Sequence, residues 1–290
     1  MRKIDINDYR QSGEGANGLS YYSLSDPLEM VKLYNTGYPS QTIYDEYDVA
    51  LKAFRMGVPS PDPGEIVTDG ERIGIRFRRI EGKKSFSRLL ADYPERTEEL
   101  ARTFAREAKA LHSTECPEGL FPDAKQQFLH LLDEDKAFSL EEKGRIADFI
   151  RNVPDCSTAL HGDLHMGNVV YSSEPRFYFI DMGYFSHGFP LFDLGMTMNI
   201  CLDAGEDFRQ HDFHVTGERT REFWKYFSDE YFFSEDRLAE KYFGPGQTPE
   251  SIISKLRPFE CCKLLLVEYN LGMMLPDYER IIRETFYLPK

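Results

Sequence analysis

The period of the hydrophobic pattern changes once along the 290-residue chain, close to Gly82, and this change restricts the fold more than any other feature. Before Gly82, short segments rich in β-branched, aromatic and leucine residues predict strands at 18–24, 28–34, 65–68 and 72–80. One helix is expected among them, at 40–56, ended by Gly57 and three nearby prolines. After Gly82, long helical periods dominate. The pattern predicts an α+β protein with a small β-rich lobe and a larger helical lobe.

We expect the chain to divide into an N-terminal lobe over residues 1–82 and a C-terminal lobe over residues 83–290. Helical periodicity in the second lobe predicts helices at 94–112, 122–135, 139–151, 191–202, 217–228, 234–243, 249–270 and 276–285. The stretch 159–190 interrupts this pattern and holds the most informative residues.

Charge and cysteine content exclude several classes of protein. The formal net charge is 35 − 49 = −14, which argues against a partner such as nucleic acid or an anionic membrane, because both need a basic surface. The five cysteines contain no C-x-x-C pair, so reduced thiols in a cytoplasmic protein are expected. The N-terminus has no apolar segment typical of a signal peptide, and no apolar run is long enough for a membrane span. Nothing in the sequence specifies an oligomeric state.

The stretch from His161 to Asn168 reads H-G-D-x-x-x-x-N, and a strand–turn–strand segment ending at Asp181 follows it. Because a hairpin returns the chain to its starting edge, Asp181 is expected beside Asn168. Carboxylate and amide oxygens are ligands that Mg²⁺ selects. Asp163 is placed to take a proton from an incoming hydroxyl, so the segment indicates phosphoryl transfer. The competing interpretation is a hairpin with incidental carboxylates.

These motifs resemble the signature of the aminoglycoside phosphotransferase and choline kinase-like family, small-molecule kinases with a protein-kinase-like fold. The resemblance implies that Asp163 is the catalytic base and that Asn168 and Asp181 hold Mg²⁺. It implies that His161 supports the loop. The family's G-x-P-x-x-D-L segment is matched by residues 188–194, where Asp193 is expected to anchor the loop and the helix start rather than take part in chemistry.

Upstream residues complete the expected nucleotide site. Gly13, Gly15 and Gly18 form a G-x-G-x-x-G pattern that leads into a strand rather than a helix, which favours a kinase-type glycine hairpin lying over phosphates. Lys32 follows at the distance expected of a phosphate-binding lysine. Its acidic partner is expected to be Glu46, which falls on the apolar face of the 40–56 helix.

These residues and the resemblance together indicate an ATP-dependent phosphotransferase that moves the γ-phosphoryl group to a hydroxyl of a small molecule. Arg76, Arg78 and Arg79 near the connection between the lobes leave GTP open as the nucleotide. A metabolic amino alcohol or sugar is preferred as acceptor over an aminoglycoside, because the end of the chain, 286–290, lacks acidic residues; the net charge is compatible with a cationic acceptor. A protein kinase and a nucleotide-binding protein of this fold without turnover are the alternatives.

Overall fold

A computed structural model of the chain describes residues 1–15, 17–173 and 176–288. The chain forms two compact units, and the smaller one comprises residues 1–85 together with 168–185. The larger unit comprises 86–167 and the remainder of the chain from 186. The predicted boundary after residue 82 treats each lobe as one continuous segment, whereas the smaller unit takes in the hairpin of the H-G-D segment as well.

The strands are β1 (Arg2–Lys3), β2 (Tyr9–Gly15), β3 (Gly18–Ser23), β4 (Glu29–Tyr34), β5 (Pro63–Thr68), β6 (Ile73–Arg78), β7 (Lys84–Ser85), β8 (Ala159–Leu160), β9 (Val169–Tyr171), β10 (Phe177–Phe179) and β11 (Ser186–His187). The α-helices are α1 (Ser40–Arg55), α2 (Phe86–Asp92), α3 (Thr97–His112), α4 (Ala124–Glu134), α5 (Leu140–Asn152), α6 (Leu191–Met198), α7 (Glu206–Phe208), α8 (Gly217–Phe233), α9 (Leu238–Phe243), α10 (Pro249–Leu271) and α11 (Pro276–Thr285).

The smaller unit is built on a six-stranded sheet with the order β1-β5-β6-β4-β3-β2. Its neighbouring strands are antiparallel except β1 and β5, which are parallel. Successive side chains of β4 point to opposite faces of the sheet. Val31 and Leu33 pack with the first residues of the chain, whereas Tyr34 packs with Ile43 of α1. Lys32, between Val31 and Leu33, therefore points to the face that α1 covers.

A second, three-stranded sheet in the same unit has the order β10-β9-β7. Its hairpin β9–β10 pairs Val169 with Phe179, and the amide of Phe179 donates to the carbonyl of Pro59 at 2.7 Å. After residues 86–167, which belong to the larger unit, the chain returns to the smaller unit, and the end of the hairpin lies beside Pro59. The tip of the predicted turn, Glu174 and Pro175, lies outside the described residues.

The larger unit is helical apart from the short β8–β11 pair. Phe104 of α3 meets Phe223 and Phe227 of α8 edge-on, with ring centroids 5.6 and 5.7 Å apart, as aromatic quadrupoles favour. Helices α6 and α10 approach closely at Gly195, whose Cα faces the main chain of Phe259. This approach positions two helices beneath the H-G-D loop, defined here as residues 161–167.

The predicted α+β class is confirmed: the strands lie mainly in the first part of the chain, and helices make up most of the remainder. Several predicted helix bounds differ. The 191–202 helix is α-helical to Met198 and continues as a π-helical turn over Asn199–Asp203. Helix α8 runs on to Phe233, so the next helix begins at Leu238 rather than at 234. In the described part of the chain, no helix is both long enough and apolar enough to cross a membrane.

Candidate active site

The smaller unit brings Lys32, Glu46 and Asp181 together. The Lys32 ammonium lies 2.9 Å from Glu46 Oε1 and 2.7 Å from Asp181 Oδ1. Glu46 reaches it because it lies on the buried face of α1, in line with Ile43 and Ala50. Burial acts to lower the pKa of Lys32, but the attraction of Asp181 and Glu46 outweighs it and holds that pKa well above its usual value. The sequence predicted the pair with Glu46 but not the contact with Asp181.

Asp181 owes its place to the end of the hairpin. Its backbone is left-handed, with φ 57°, which is uncommon for a residue other than glycine and reverses the chain sharply after β10. The following turn, Met182–Tyr184, packs on α1: a Cβ added at Gly183 would lie 3.3 Å from Glu46 Oε2. The carboxylate of Asp181 is thereby presented to Lys32 while half of its side chain stays exposed.

Asn168 begins the same hairpin, and its carbonyl accepts the amide proton of Ile180 at 2.9 Å. Asn168 and Asp181 therefore lie at the same end of β9–β10, as the sequence predicted. Their amide and carboxylate oxygens suit Mg²⁺, which takes one or two carboxylates and completes its shell with phosphate oxygens and water. No group of three His, Cys, Asp or Glu side chains forms a ready-made metal site among the described residues.

The glycine pattern lies on the β2–β3 hairpin, where Gly15 pairs with Gly18; Ala16 between them is outside the described residues. A Cβ at Gly18 would lie 2.2 Å from the Leu33 carbonyl oxygen, so β4 itself requires a glycine there. Cβ atoms at Gly13 or Gly15 would meet their nearest neighbours at 3.8 Å, an ordinary contact. Packing against β4 therefore explains why position 18 is a glycine. It does not explain Gly13 and Gly15, where the main chain has room for a ligand to approach.

Two of the arginines flagged in the sequence have partners within the smaller unit. The guanidinium of Arg79 stacks over the Tyr22 ring at 3.9 Å, a cation–π contact. Arg76 lies over Gly64, and its Nε is 3.7 Å from Glu65 Oε1. Arg78 is exposed at the end of β6. None of these contacts discriminates one nucleotide base from another.

The larger unit holds Asp163 in the H-G-D loop. Its amide donates to His161 Nδ1 at 3.2 Å, which gives His161 the supporting contact that the sequence predicted. The Gly167 amide donates to His165 Nδ1 at 3.0 Å, which leaves Nε2 as the ring nitrogen that donates toward Asp163 Oδ2, 3.4 Å away. His165 therefore orients the carboxylate, a contact for which the sequence provided no clear signal.

Electrostatics keep Asp163 ionised. Burial acts to raise its pKa, but the attraction and hydrogen bond of His165 outweigh that effect and hold the pKa well below its usual value. His161 and Lys263 act in the same direction. At neutral pH the group is a carboxylate that can accept a hydrogen bond from a hydroxyl.

Asp193 anchors the loop from below. Its carboxylate is fully buried and accepts the amide protons of His161 at 2.6 Å and Gly162 at 2.8 Å. His112 Nε2 lies 3.2 Å from the same carboxylate. The predicted anchoring of the loop is therefore present, whereas the start of α6 has no side-chain cap. His112 and Lys263 are further residues of this buried cluster that sequence analysis missed; the signal for Lys263 was a single charge next to the apolar run 264–267.

The predicted protein-kinase-like fold is confirmed by its likeness to solved structures of small-molecule kinases. A thermostable mutant of aminoglycoside phosphotransferase APH(4)-Ia in ternary complex with ADP and hygromycin B matches 97% of this chain and 92% of its own, with 12% identity and a TM-score of 0.59. Ethanolamine kinase of Plasmodium vivax matches 99% of this chain and 84% of its own, with 14% identity and a TM-score of 0.59. At these identities the likeness shows the fold.

The sequence match is broader than any single motif. A model of the phosphotransferase enzyme family matches residues 8–227, well over half of the chain, and the chain belongs to that family. A type VIII aminoglycoside-3'-phosphotransferase is also similar in structure, with 18% identity over 87% of this chain and 93% of its own and a TM-score of 0.55. A search of curated protein sequences finds no significant match.

Proposed function

We propose that this protein is a kinase that transfers the γ-phosphoryl group of ATP to a hydroxyl of a small molecule. The observation that carries the proposal is the Lys32 ammonium held 2.9 Å from Glu46 and 2.7 Å from Asp181. An ammonium fixed between two carboxylates keeps its charge and a defined position, which a phosphate-binding lysine requires. The glycine hairpin β2–β3 offers main-chain N–H groups for the phosphates.

Asp163 would act on the acceptor. Its carboxylate, oriented by His165, accepts a hydrogen bond from the acceptor hydroxyl and directs the oxygen. That oxygen attacks the γ-phosphorus while the bond from phosphorus to the β–γ bridging oxygen breaks, and ADP leaves with the electron pair. The hydroxyl proton passes to Asp163. A carboxylate with a low pKa suits this step because in a loose transition state the proton is transferred late.

Asn168 and Asp181 would hold Mg²⁺, which when bound neutralises charge on the phosphates. In that state Asp181 would share its carboxylate between the ion and Lys32, since half of its side chain is exposed. GTP is the alternative nucleotide in this proposal, and a thermal shift with MgGTP in place of MgATP would distinguish the two.

A metabolic amino alcohol or sugar is our preferred acceptor. The net charge of −14 favours attraction of a cationic compound, and one structural relative is an ethanolamine kinase. An aminoglycoside is the second candidate acceptor, since another relative was solved with hygromycin B. A cytoplasmic location and independence from nucleic acid and membranes complete the proposal, supported by the acidic composition.

Thermal unfolding with and without MgATP tests the nucleotide site. A ligand at about 100 times its Kd stabilises by about 2.7 kcal/mol, which for a chain of this size is a shift of about 5 to 10 °C. Asp181→Ala should lose the magnesium-dependent shift. Asp155→Ala, which removes a fully exposed aspartate on the larger unit, is the matched control and should keep it.

ADP release then tests transfer, with ethanolamine, choline, hexoses and hygromycin B as acceptors. Asp163→Asn should retain the MgATP shift and lose transfer by about 10³-fold or more. Full turnover by Asp163→Asn would refute the assignment of the base. A wild-type protein that binds MgATP and transfers to no acceptor would favour the nucleotide-binding alternative without turnover.

A further inference from the structure

Lys263 is a buried lysine that the proposed reaction does not use directly. It lies in the middle of α10 and is 2% exposed. Its ammonium donates a hydrogen bond of 2.6 Å to the carbonyl oxygen of Gly162 and lies 5.0 Å from the centre of the Phe128 ring. Burial of an ammonium is costly unless it is paired and hydrogen-bonded, so a buried lysine at this position needs an explanation. Its partner, Gly162, is 101 residues away in the sequence.

The hydrogen bond from Lys263 completes a set of contacts to the main chain of residues 161–163. Asp193 fixes the amides of His161 and Gly162, and the amide of Asp163 donates to His161 Nδ1. The Gly162 carbonyl belongs to the same peptide group as the Asp163 amide, and Lys263 binds it. Every peptide group that leads to the Asp163 side chain is thus held by a buried side chain.

Gly162 makes that last contact necessary. Its φ is +82°, in the left-handed region, and glycine reaches both left- and right-handed conformations at little cost. If its carbonyl had no fixed donor, only the bond from the Asp163 amide to His161 would keep the peptide between Gly162 and Asp163 from rotating. Rotation would turn the Asp163 amide away from His161 and displace the carboxylate, and a displacement of about 1 Å reduces catalysis by about 100-fold.

The charges of the cluster are consistent with this arrangement. Asp193 is fully buried. Burial acts to raise its pKa, but the hydrogen bond and attraction of His112, with a smaller attraction from Lys263, outweigh it and lower that pKa. Burial lowers the pKa of Lys263, while the carboxylates of Asp193 and Asp163 oppose that shift. Lys263 thus supplies both a donor for the loop and a counter-charge for the carboxylates around it.

We propose that Lys263 is a positioning residue for Asp163: it fixes the Gly162–Asp163 peptide so that the carboxylate keeps the orientation needed to receive the acceptor hydroxyl. This inference rests on the proposed kinase function and adds to it a residue from the C-terminal part of the chain.

The test compares Lys263→Met with Lys255→Met. Methionine keeps the length of the lysine stem and removes the donor and the charge. Lys255 lies on the same helix but is exposed, so its substitution controls for a change in α10 itself. Hydrogen–deuterium exchange of peptides covering 160–167 measures the loop. MgATP turnover is measured as ADP release, with the best acceptor of the panel above or with water if no acceptor works.

In Lys263→Met, exchange in 160–167 should become about tenfold faster, the factor that one lost charge-assisted hydrogen bond is worth. The kcat should fall by about 100-fold, with the KM for MgATP within about threefold of the wild-type value. Lys255→Met should match the wild type in all three quantities. A general loss of structure would raise the KM and speed exchange throughout the larger unit.

Unchanged exchange in 160–167 would overturn the inference, as would faster exchange with an unchanged kcat. A wild-type protein that neither transfers phosphate nor hydrolyses MgATP would overturn the proposed function and the positioning role with it, and the exchange measurement would still report whether Lys263 holds the loop. If Lys263→Met does not fold, Lys263→Gln replaces it, since glutamine is shorter and neutral but keeps an N–H donor in the buried site.

Discussion

Gly195→Ala should destabilise the protein although alanine is the better helix former. Gly195 lies in α6 against α10, and a Cβ there would be 2.6 Å from the carbonyl carbon and oxygen of Phe259 and 2.7 Å from the amide nitrogen of Glu260. These atoms belong to the main chain of a buried helix, so no side chain can rotate away. To reach an ordinary contact of 3.4 Å, the helices must separate by about 3.4 − 2.6 = 0.8 Å.

The magnitude follows from two opposed effects. Replacing glycine by alanine inside a helix gains about 1 kcal/mol. Overpacking costs about 1 to 3 kcal/mol, and the upper value applies because a gap of 0.5 to 1 Å forfeits about a quarter to a half of the dispersion energy along the interface. The net loss is about 2 kcal/mol, or about 4 to 8 °C in Tm. Because α6 carries Asp193 and α10 carries Lys263, kcat should fall as well.

Urea and thermal unfolding measure the stability, and Gly144→Ala provides the matched control. Gly144 is inside α5, and an added Cβ would meet nothing within 4 Å. The same substitution should therefore stabilise the protein there by about 0.5 to 1 kcal/mol. A Gly195→Ala variant as stable as the wild type, with Gly144→Ala stabilised, would refute the claim that main-chain contact sets the distance between α6 and α10.

Three further outcomes are expected. Gly18→Ala should destabilise the protein by about 1 to 3 kcal/mol because its Cβ would meet β4, whereas Gly13→Ala should change stability by less than about 0.5 kcal/mol; equal unfolding midpoints would contradict the packing role. Lys32→Met should abolish the MgATP-dependent thermal shift, since two carboxylates then face the phosphates without a counter-charge; a retained shift would exclude Lys32 from the nucleotide site. Burial raises the pKa of Glu260 to about 7 from 4.5. The folded state therefore holds this proton more tightly than the unfolded state, and the contribution of Glu260 to the free energy of unfolding is lost as pH rises from 4.5 through about 7. Urea titrations across this range should show that fall in the wild type and not in Glu260→Gln.

Local signals predicted the parts of the candidate site well. A short run of β-branched, aromatic and leucine residues placed Lys32 in a strand, helical spacing placed Glu46 on the buried face of α1, and the two are in contact. The hairpin signal placed Asn168 and Asp181 at one end of β9–β10. The roles of these residues, and of Asp163, stay predictions until the variants are measured.

Contacts between distant segments could not be read from local patterns. Asp181 reaches Lys32 because the turn that follows the hairpin packs on α1, and the two residues are 149 apart in the chain. Sequence analysis assigned Gly18 to phosphate binding, and the register of β3 on β4 supplies a second reason for that glycine. The π-helical turn after Met198 also escaped prediction, because its amino acids suit an ordinary helix.

The sequence by itself determined the order of elements, the α+β class and the residue types of a phosphotransferase, because hydrophobic period, turn residues and the H-G-D spacing are local properties of the chain. The tertiary structure decided which buried side chains hold the loop that carries Asp163. His112, Asp193 and Lys263 come from three different helices. Only the packing of those helices brings His112 to Asp193, and Asp193 and Lys263 to the main chain of the loop.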